Sequence, residues 1–176
     1  MQKFILNLTN EDNALIADSE VECFIAPTEA GENSLKAWLD EARRHNKILL
    51  LSGQDCCAMC QKLGADGVLV DLSASEHCAK DVNFARKQIG DKVLGVISRN
   101  RRHEAMLISE CEPDFVAFKI WQQGLERAAE LVSWYTEMFL IQSAAVLQEP
   151  ISDLQTLDCD IVVGNASDYK IFVAKK

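Results

Sequence analysis

The chain has 176 residues, of which 48% are hydrophobic and 26% charged, and a formal net charge of −9. This length and composition are typical of one globular domain, so we expect residues 1–176 to form a single domain. The acidic balance argues against nucleic acid as a partner, and no apolar run approaches the ~20 residues that cross a bilayer, so we expect no membrane partner either.

Short apolar segments recur along the chain and predict strands. Lys47–Leu51 is mostly apolar, which is typical of a parallel strand that is covered on both faces. The next predicted strand, Val68–Leu72, follows a helix that ends at Gly64, a residue that readily adopts a positive φ. The eight predicted strands are Lys3–Thr9, Val21–Ala26, Lys47–Leu51, Val68–Leu72, Val93–Ile97, Phe115–Ile120, Ala144–Leu147 and Ile161–Val163.

The segments between the strands have helical periodicity, because their apolar residues recur at i, i+3, i+4 and i+7. The longest of these predicted helices carries Leu125, Val132 and Tyr135 on one face. A short helix is predicted from Pro150, and the tail Tyr169–Lys176 is predicted to be extended and packed on the outside.

Eight strands that alternate with helices predict an α/β fold, a compact (β/α)8 TIM barrel with shortened helices and loops. An open doubly wound sheet is the alternative, because such barrels usually take about 250 residues. In both folds, functional residues are expected just beyond the carboxyl ends of the strands.

The seven cysteines are scattered and odd in number, and the N-terminal segment lacks the features of a signal peptide. We therefore expect reduced thiols and a cytoplasmic location. Cys57-x-x-Cys60 is compatible with a metal or redox site, but Cys56 and Cys60 fit the apolar stripe of a helix, which favours packing in the core. His77 and His103 have no recognisable triad partner.

One stretch carries a likeness to a known family. Gln54-Asp55 stands nine residues before Ala65–Val68, and this spacing resembles the thiamine phosphate synthase family, where an Asn-Asp pair follows the third strand. The likeness continues through Val93–Ser98 and Pro113–Phe118. It implies an eight-stranded barrel that joins a hydroxymethylpyrimidine pyrophosphate to a thiazole phosphate and releases pyrophosphate with the help of Mg²⁺.

The resemblance also implies roles for individual residues. Asp55 would be the Mg²⁺ ligand, although an acidic residue in the first turn of a helix has the same sequence pattern. The basic run after the fifth strand could clamp an anion or be a solvated helix start, and the turn after the last strand could bind phosphate or simply lead into the tail. The predicted ligand-contacting residues are Gln54, Ser98, Arg99, Arg101, Gly164 and Asn165.

The chain departs from the family at positions where the family has charged or phosphate-binding residues. The position of the family's second carboxylate is Ala74, and Gln148-Glu149 replaces a Gly-Gly turn. Two alternatives therefore stay open: a non-catalytic barrel that binds a small phosphorylated ligand or serves in assembly, and a thiazole tautomerase-like isomerase. Trp134 lies off the apolar face of its helix and could cover a homodimer contact or pack in the core.

Overall fold

The strands close into a barrel. The computed structural model describes residues 2–9 and 12–174. Each strand pairs in parallel with the next one in sequence, and the last pairs with the first, which confirms the barrel over the open sheet. The strands are β1 Lys3–Asn7, β2 Cys23–Pro27, β3 Ile48–Ser52, β4 Gly67–Asp71, β5 Val93–Ser98, β6 Phe115–Ile120, β7 Gln142–Leu147 and β8 Ile161–Gly164.

The helices surround the barrel and are short, which explains how a chain of this length closes it. Two of them span only 8 residues. The helices are α1 Asn13–Asp18, α2 Glu32–Arg44, α3 Cys56–Leu63, α4 Cys78–Ile89, α5 Arg102–Ser109, α6 Leu125–Met138 and α7 Ala166–Ala174, with 3₁₀ turns at Thr28–Ala30 and Leu154–Thr156. No helix in the described part of the chain is long and apolar enough to span a membrane.

All eight predicted strands are present, with bounds within two residues of those predicted. The helix predicted from Pro150 was wrong, because only the 3₁₀ turn Leu154–Thr156 forms there, beginning where the Asp153 carboxylate accepts a hydrogen bond from the Gln155 N–H at 3.1 Å. Buried Ile151 and Leu154 produced the helical spacing, but in the structure they belong to a loop that covers the barrel wall.

The tail prediction was wrong in conformation, since the tail is helical and not extended, but its packing on the outside of the barrel is confirmed. Residues 169–174 belong to α7, which packs on β1 through the contacts of Tyr169 and Phe172 with Phe4. Lys175 and Lys176 lie outside the described residues. The helix forms because the Asn165 side chain caps its first turn, a local contact that outweighs the weak periodicity of the tail.

The core has two layers, one inside the barrel and one between the strands and helices. Alternate strand residues fill each layer, as the period of two in a strand requires. The inner layer consists of Ile5, Ile25, Leu50, Leu69, Ile97, Phe115, Ala117, Ala144, Val146, Ile161 and Val163.

The cysteines are free thiols, as predicted, and Cys56, Cys57 and Cys60 are buried in the outer layer. Burial raises the pKa of the Cys23 thiol to about 12. Trp134 also packs against the outer layer, with its ring 5.8 Å from that of Phe139. Its core packing is therefore confirmed, and the homodimer stays a prediction.

Candidate active site at the carboxyl end of the barrel

Polar side chains take over the inner face of the barrel where the apolar layer ends. Two residues beyond Leu69 on β4 and Ala117 on β6, the same face carries Asp71 and Lys119. Because side chains alternate along a strand, both extend into the mouth of the barrel at the carboxyl ends of the strands. This is the end at which (β/α)8 barrels hold their active sites.

Lys119 and Asp71 meet across this mouth, although β5 lies between their strands. The Lys119 Nζ atom lies 2.5 Å from Asp71 Oδ2. The lysine side chain is 23% exposed and the aspartate side chain 47% exposed. The pair therefore stands at the boundary between the barrel interior and solvent, where a small molecule can reach it.

Ser73 completes this cluster. Its hydroxyl donates to Asp71 Oδ1 at 2.6 Å and accepts from Lys119 Nζ at 3.1 Å. The loop that carries Ser73 is held by Arg99, whose Nε donates to the Ser73 carbonyl oxygen at 3.0 Å. Asn100 donates to the Lys119 carbonyl oxygen at 2.8 Å. Both partners of the ion pair are thus fixed through the loop that follows β5.

The pKa of the Asp71 carboxyl is lowered in this setting. Partial burial acts to raise that pKa, but the hydrogen bonds from Lys119 and Ser73 and the positive charge of Lys119 together outweigh burial. At neutral pH the aspartate is therefore ionised and faces the Nζ atom of Lys119 as a carboxylate.

Gln54 and Asp55 lie at the carboxyl end of β3, as predicted from the sequence, and both are exposed. Asp55 adopts a left-handed conformation with φ of 56° directly before α3. Such backbone strain in a non-glycine residue is often found at functional sites. Thr28 fixes the turn by donating to the Gln54 carbonyl oxygen at 2.8 Å.

The donor set around Asp55 is small for a metal. In the described part of the chain, no group of three or more histidine, cysteine, aspartate or glutamate side chains is arranged to hold a metal ion. Mg²⁺ is often bound by one or two carboxylates together with the phosphates of a substrate. Asp55 therefore fits Mg²⁺ only as part of a complex with a phosphorylated ligand.

The structure separates Ser98 from the two arginines predicted to contact a ligand after β5. Ser98 is fully buried on the outer face of its strand, and its hydroxyl donates to the Arg99 carbonyl oxygen. The Arg99 guanidinium faces Ser73 and Glu104, whereas Arg101 is exposed at the start of α5. Ser98 therefore stands apart from Arg99 and Arg101, whose guanidinium groups both lie near Glu104 Oε1.

The turn after β8 is occupied by the chain itself. The N–H group of Asn165 donates to Asp168 Oδ2 at 2.9 Å, and the N–H groups of Ser167 and Asp168 donate to Asn165 Oδ1. Gly164 lets Asp168 approach, because a Cβ there would lie 2.8 Å from the Asp168 carboxylate. Phosphate binding by Gly164 and Asn165 stays a prediction, and it would require the phosphate to displace a carboxylate.

Sequence reasoning predicted neither Lys119 nor Asp71 as a site residue. A signal for both was present, since each follows an inner-layer residue by two positions at the end of a predicted strand. Their meeting across β5 could not be read from the sequence, because it depends on barrel closure and on lysine side-chain reach.

Comparison with protein families and with curated proteins finds no match. Solved structures resemble the fold. A protein assigned as a deoxyribose-phosphate aldolase from Coccidioides immitis superposes with a TM-score of 0.72 at 9% identity, over 99% of this chain and 85% of that one. The 3-dehydroquinate dehydratase from Geobacillus kaustophilus HTA426 gives 0.68 at 9% identity, over 94% and 82%. The YdjI aldolase from Escherichia coli K12 gives 0.69 at 13% identity, over 98% and 78%.

These likenesses establish the fold and go no further, because the identities are low. The chain is a (β/α)8 barrel. Since one such fold hosts many unrelated activities, the function has to be argued from the mouth itself.

Proposed function

We propose that the chain is an enzyme that acts on a small carbonyl compound at the carboxyl end of the barrel. The observation that carries this proposal is the contact between Lys119 and Asp71. A lysine amine is the side chain that forms Schiff bases with carbonyl substrates, and here it has a carboxylate in direct contact. Two of the structural neighbours are aldolases by name, which supports carbonyl chemistry as the class to test first.

The proposed reaction begins with proton transfer. Lys119 passes a proton from Nζ to Asp71, and the freed lone pair attacks the carbonyl carbon. A bond forms between Nζ and that carbon. Asp71 delivers to the carbonyl oxygen the two protons that Nζ gives up in turn, and this oxygen leaves as water. The resulting protonated imine draws electrons from the adjacent carbon, which assists cleavage of a neighbouring C–H or C–C bond.

Each neighbouring side chain has a defined part in this scheme. Asp71 is the proton acceptor, and Ser73 orients it through the 2.6 Å hydrogen bond. Arg99 and Asn100 are positioning residues, because they hold the loop of Ser73 and the backbone of Lys119. The free amine of Lys119 is the nucleophile in this scheme.

The experiment is a turnover assay with a panel of small aldehydes, ketones and 2-oxo acids, followed by NMR of the products. Lys119→Arg keeps the positive charge opposite Asp71 but cannot form an imine at neutral pH, so it should abolish turnover. Lys80→Arg changes an exposed lysine on α4 and should leave turnover unchanged. Turnover that survives Lys119→Arg, or is absent for every compound in the panel with folded protein, would overturn the proposal.

A thiamine phosphate synthase-like transfer is the second candidate, with Mg²⁺ and a phosphorylated ligand as its implied partners. It is favoured by the strained, exposed Asp55 next to Gln54 at the end of β3. The test mixes the protein with both phosphorylated substrates and Mg²⁺ and measures pyrophosphate release. Release that Asp55→Ala abolishes would support this candidate, and no release with folded protein would remove it. The non-catalytic alternative would then stand on ligand binding alone.

A further inference from the structure

A groove lies outside the rim of the barrel, between the starts of α5 and α6. Its cavity measures about 630 Å³. Three arginines line it, Arg101, Arg102 and Arg127, and Glu130 is the acidic residue among its lining residues. In a chain whose net charge is −9, such a concentration of positive charge is unusual.

These arginine side chains have few partners among the described residues, so much of their hydrogen-bonding capacity is free. The side chain of Arg127 forms no ion pair or hydrogen bond with any residue that the structure describes. Arg101 has only a long contact of 3.8 Å with Glu104, which lies 3.5 Å from Arg99 as well. The guanidinium of Arg102 stacks on the ring of Trp134, 4.9 Å from its centroid.

Stacking suits Arg102 for binding an anion. The contact holds the guanidinium over the aromatic face, while its N–H groups form no hydrogen bond or ion pair with any residue that the structure describes. A guanidinium edge matches a pair of phosphate oxygens, to which it donates two parallel hydrogen bonds. Arg102 therefore has the arrangement of a preorganised phosphate contact.

Stability alone does not account for where these arginines lie. Arg101 directly precedes α5, Arg102 begins it, and Arg127 belongs to the first turn of α6. Positive side chains at helix starts oppose the helix dipole and weaken the helix. An anion in the groove would reverse this penalty, since it would face both helix starts and all three guanidinium groups.

We propose that this groove binds the phosphate or diphosphate group of a small molecule, with Arg101, Arg102 and Arg127 as its ligands. The inference does not depend on the reaction proposed at Lys119. Asn100 lines the groove and also donates to the Lys119 carbonyl oxygen, so the site adjoins the mouth through a direct contact. A phosphorylated molecule held here would lie beside the barrel opening.

The test is calorimetric titration of the full chain with orthophosphate, pyrophosphate and sulfate, at an ionic strength held constant with chloride. Pyrophosphate should bind more tightly than sulfate. Arg102→Gln and Arg127→Gln should each weaken that binding about tenfold or more, because each removes a charge-assisted contact. Glu130→Gln should tighten binding, since it removes the one carboxylate that lines the groove.

Arg44→Gln is the matched control, because it removes an equal charge from an exposed arginine on α2. It should leave the affinity for pyrophosphate within about twofold of the unchanged chain. The proposal is overturned if pyrophosphate binding cannot be distinguished from that of chloride. Equal weakening by Arg44→Gln and Arg127→Gln would overturn it too, because binding would then follow net charge and not the groove. Circular dichroism on every variant establishes that the fold is retained.

Discussion

The ring of Phe115 fills the space that a side chain at Gly95 would need. The two residues are register partners on β5 and β6, and a Cβ on Gly95 would lie 2.1 Å from the Phe115 ring. Phe115 is the aromatic residue of the inner layer, so this close approach decides how the barrel interior is filled.

Gly95→Ala should therefore destabilise the barrel by about 1–3 kcal/mol, the usual cost of overpacking a core. Chemical denaturation measures the change in the free energy of unfolding. In a chain that carries Phe115→Leu, the smaller side chain leaves room for the alanine methyl group. Gly95→Ala should therefore lower the free energy of unfolding by less in that chain than in the native one. If the two changes are simply additive, the steric explanation is wrong.

Tyr135 provides a prediction for alkaline pH. Its hydroxyl lies 2.6 Å from the Ser109 hydroxyl in the outer layer, and burial raises the pKa of Tyr135 to about 12 despite this hydrogen bond. The folded state thus binds the phenolic proton more tightly than the unfolded state, whose tyrosine has a pKa of about 10. The stability due to this group is complete below pH 10 and is lost as the pH rises towards 12.

The native chain should accordingly lose stability between pH 10 and pH 12 more steeply than Tyr135→Phe. The comparison of the two chains cancels the titration of the lysines. At neutral pH, Tyr135→Phe should cost about 1 kcal/mol for the lost hydrogen bond. Parallel pH profiles for the two chains would show that Tyr135 does not titrate as described.

The start of α7 depends on Asn165. Its side-chain oxygen accepts from the Ser167 and Asp168 N–H groups, at 2.9 and 3.0 Å. Asn165→Ala should cost about 1 kcal/mol, whereas Asn165→Asp should cost little because aspartate caps as well. Thermal unfolding of the three chains checks this order. Equal losses for both variants would mean that the cap does not stabilise the helix.

Asp71→Asn separates function from stability. The pair with Lys119 is partly exposed, so its loss should change the free energy of unfolding by less than about 1 kcal/mol. The small stabilisation is present above the ordinary pKa of a carboxyl and is lost as the pH falls through the lowered pKa of Asp71. Turnover, in contrast, should fall about 100-fold or more, since the proton acceptor is gone.

Glu32→Gln is the control for this variant. It removes the carboxylate of another lysine pair, in which Lys62 Nζ lies 2.5 Å from Glu32 Oε2 outside the mouth. It should leave turnover unchanged. If Asp71→Asn keeps full turnover, Asp71 is not the proton acceptor.

The fold was predictable because each strand can be recognised from the apolar pattern of its own residues. Segments such as Leu49–Leu51 are apolar on both faces, and a parallel strand between two layers requires this. The tail was not predictable from periodicity, because α7 is apolar around much of its surface and its cap lies at Asn165, before Tyr169–Lys176 begins.

The site was less predictable than the fold. The family likeness predicted Asp55 and Ser98 as site residues, because each belongs to a segment that resembles a motif of that family. The structure brings together Lys119 and Asp71, which share no motif and lie 48 positions apart in the chain (119 − 71). The sequence shows only that both residues belong to the inward-facing set of their strands. It does not show that the two side chains meet, because that contact forms only when the barrel closes.

Reductive trapping tests the central claim most directly. The protein is incubated with each carbonyl compound and cyanoborohydride, and the modified lysine is located by peptide mass spectrometry. The account predicts that one compound labels Lys119 well before exposed lysines such as Lys80, and that Lys119→Arg prevents this labelling. Labelling of Lys119 no faster than Lys80 with every compound would contradict the claim that Lys119 and Asp71 form a reaction centre.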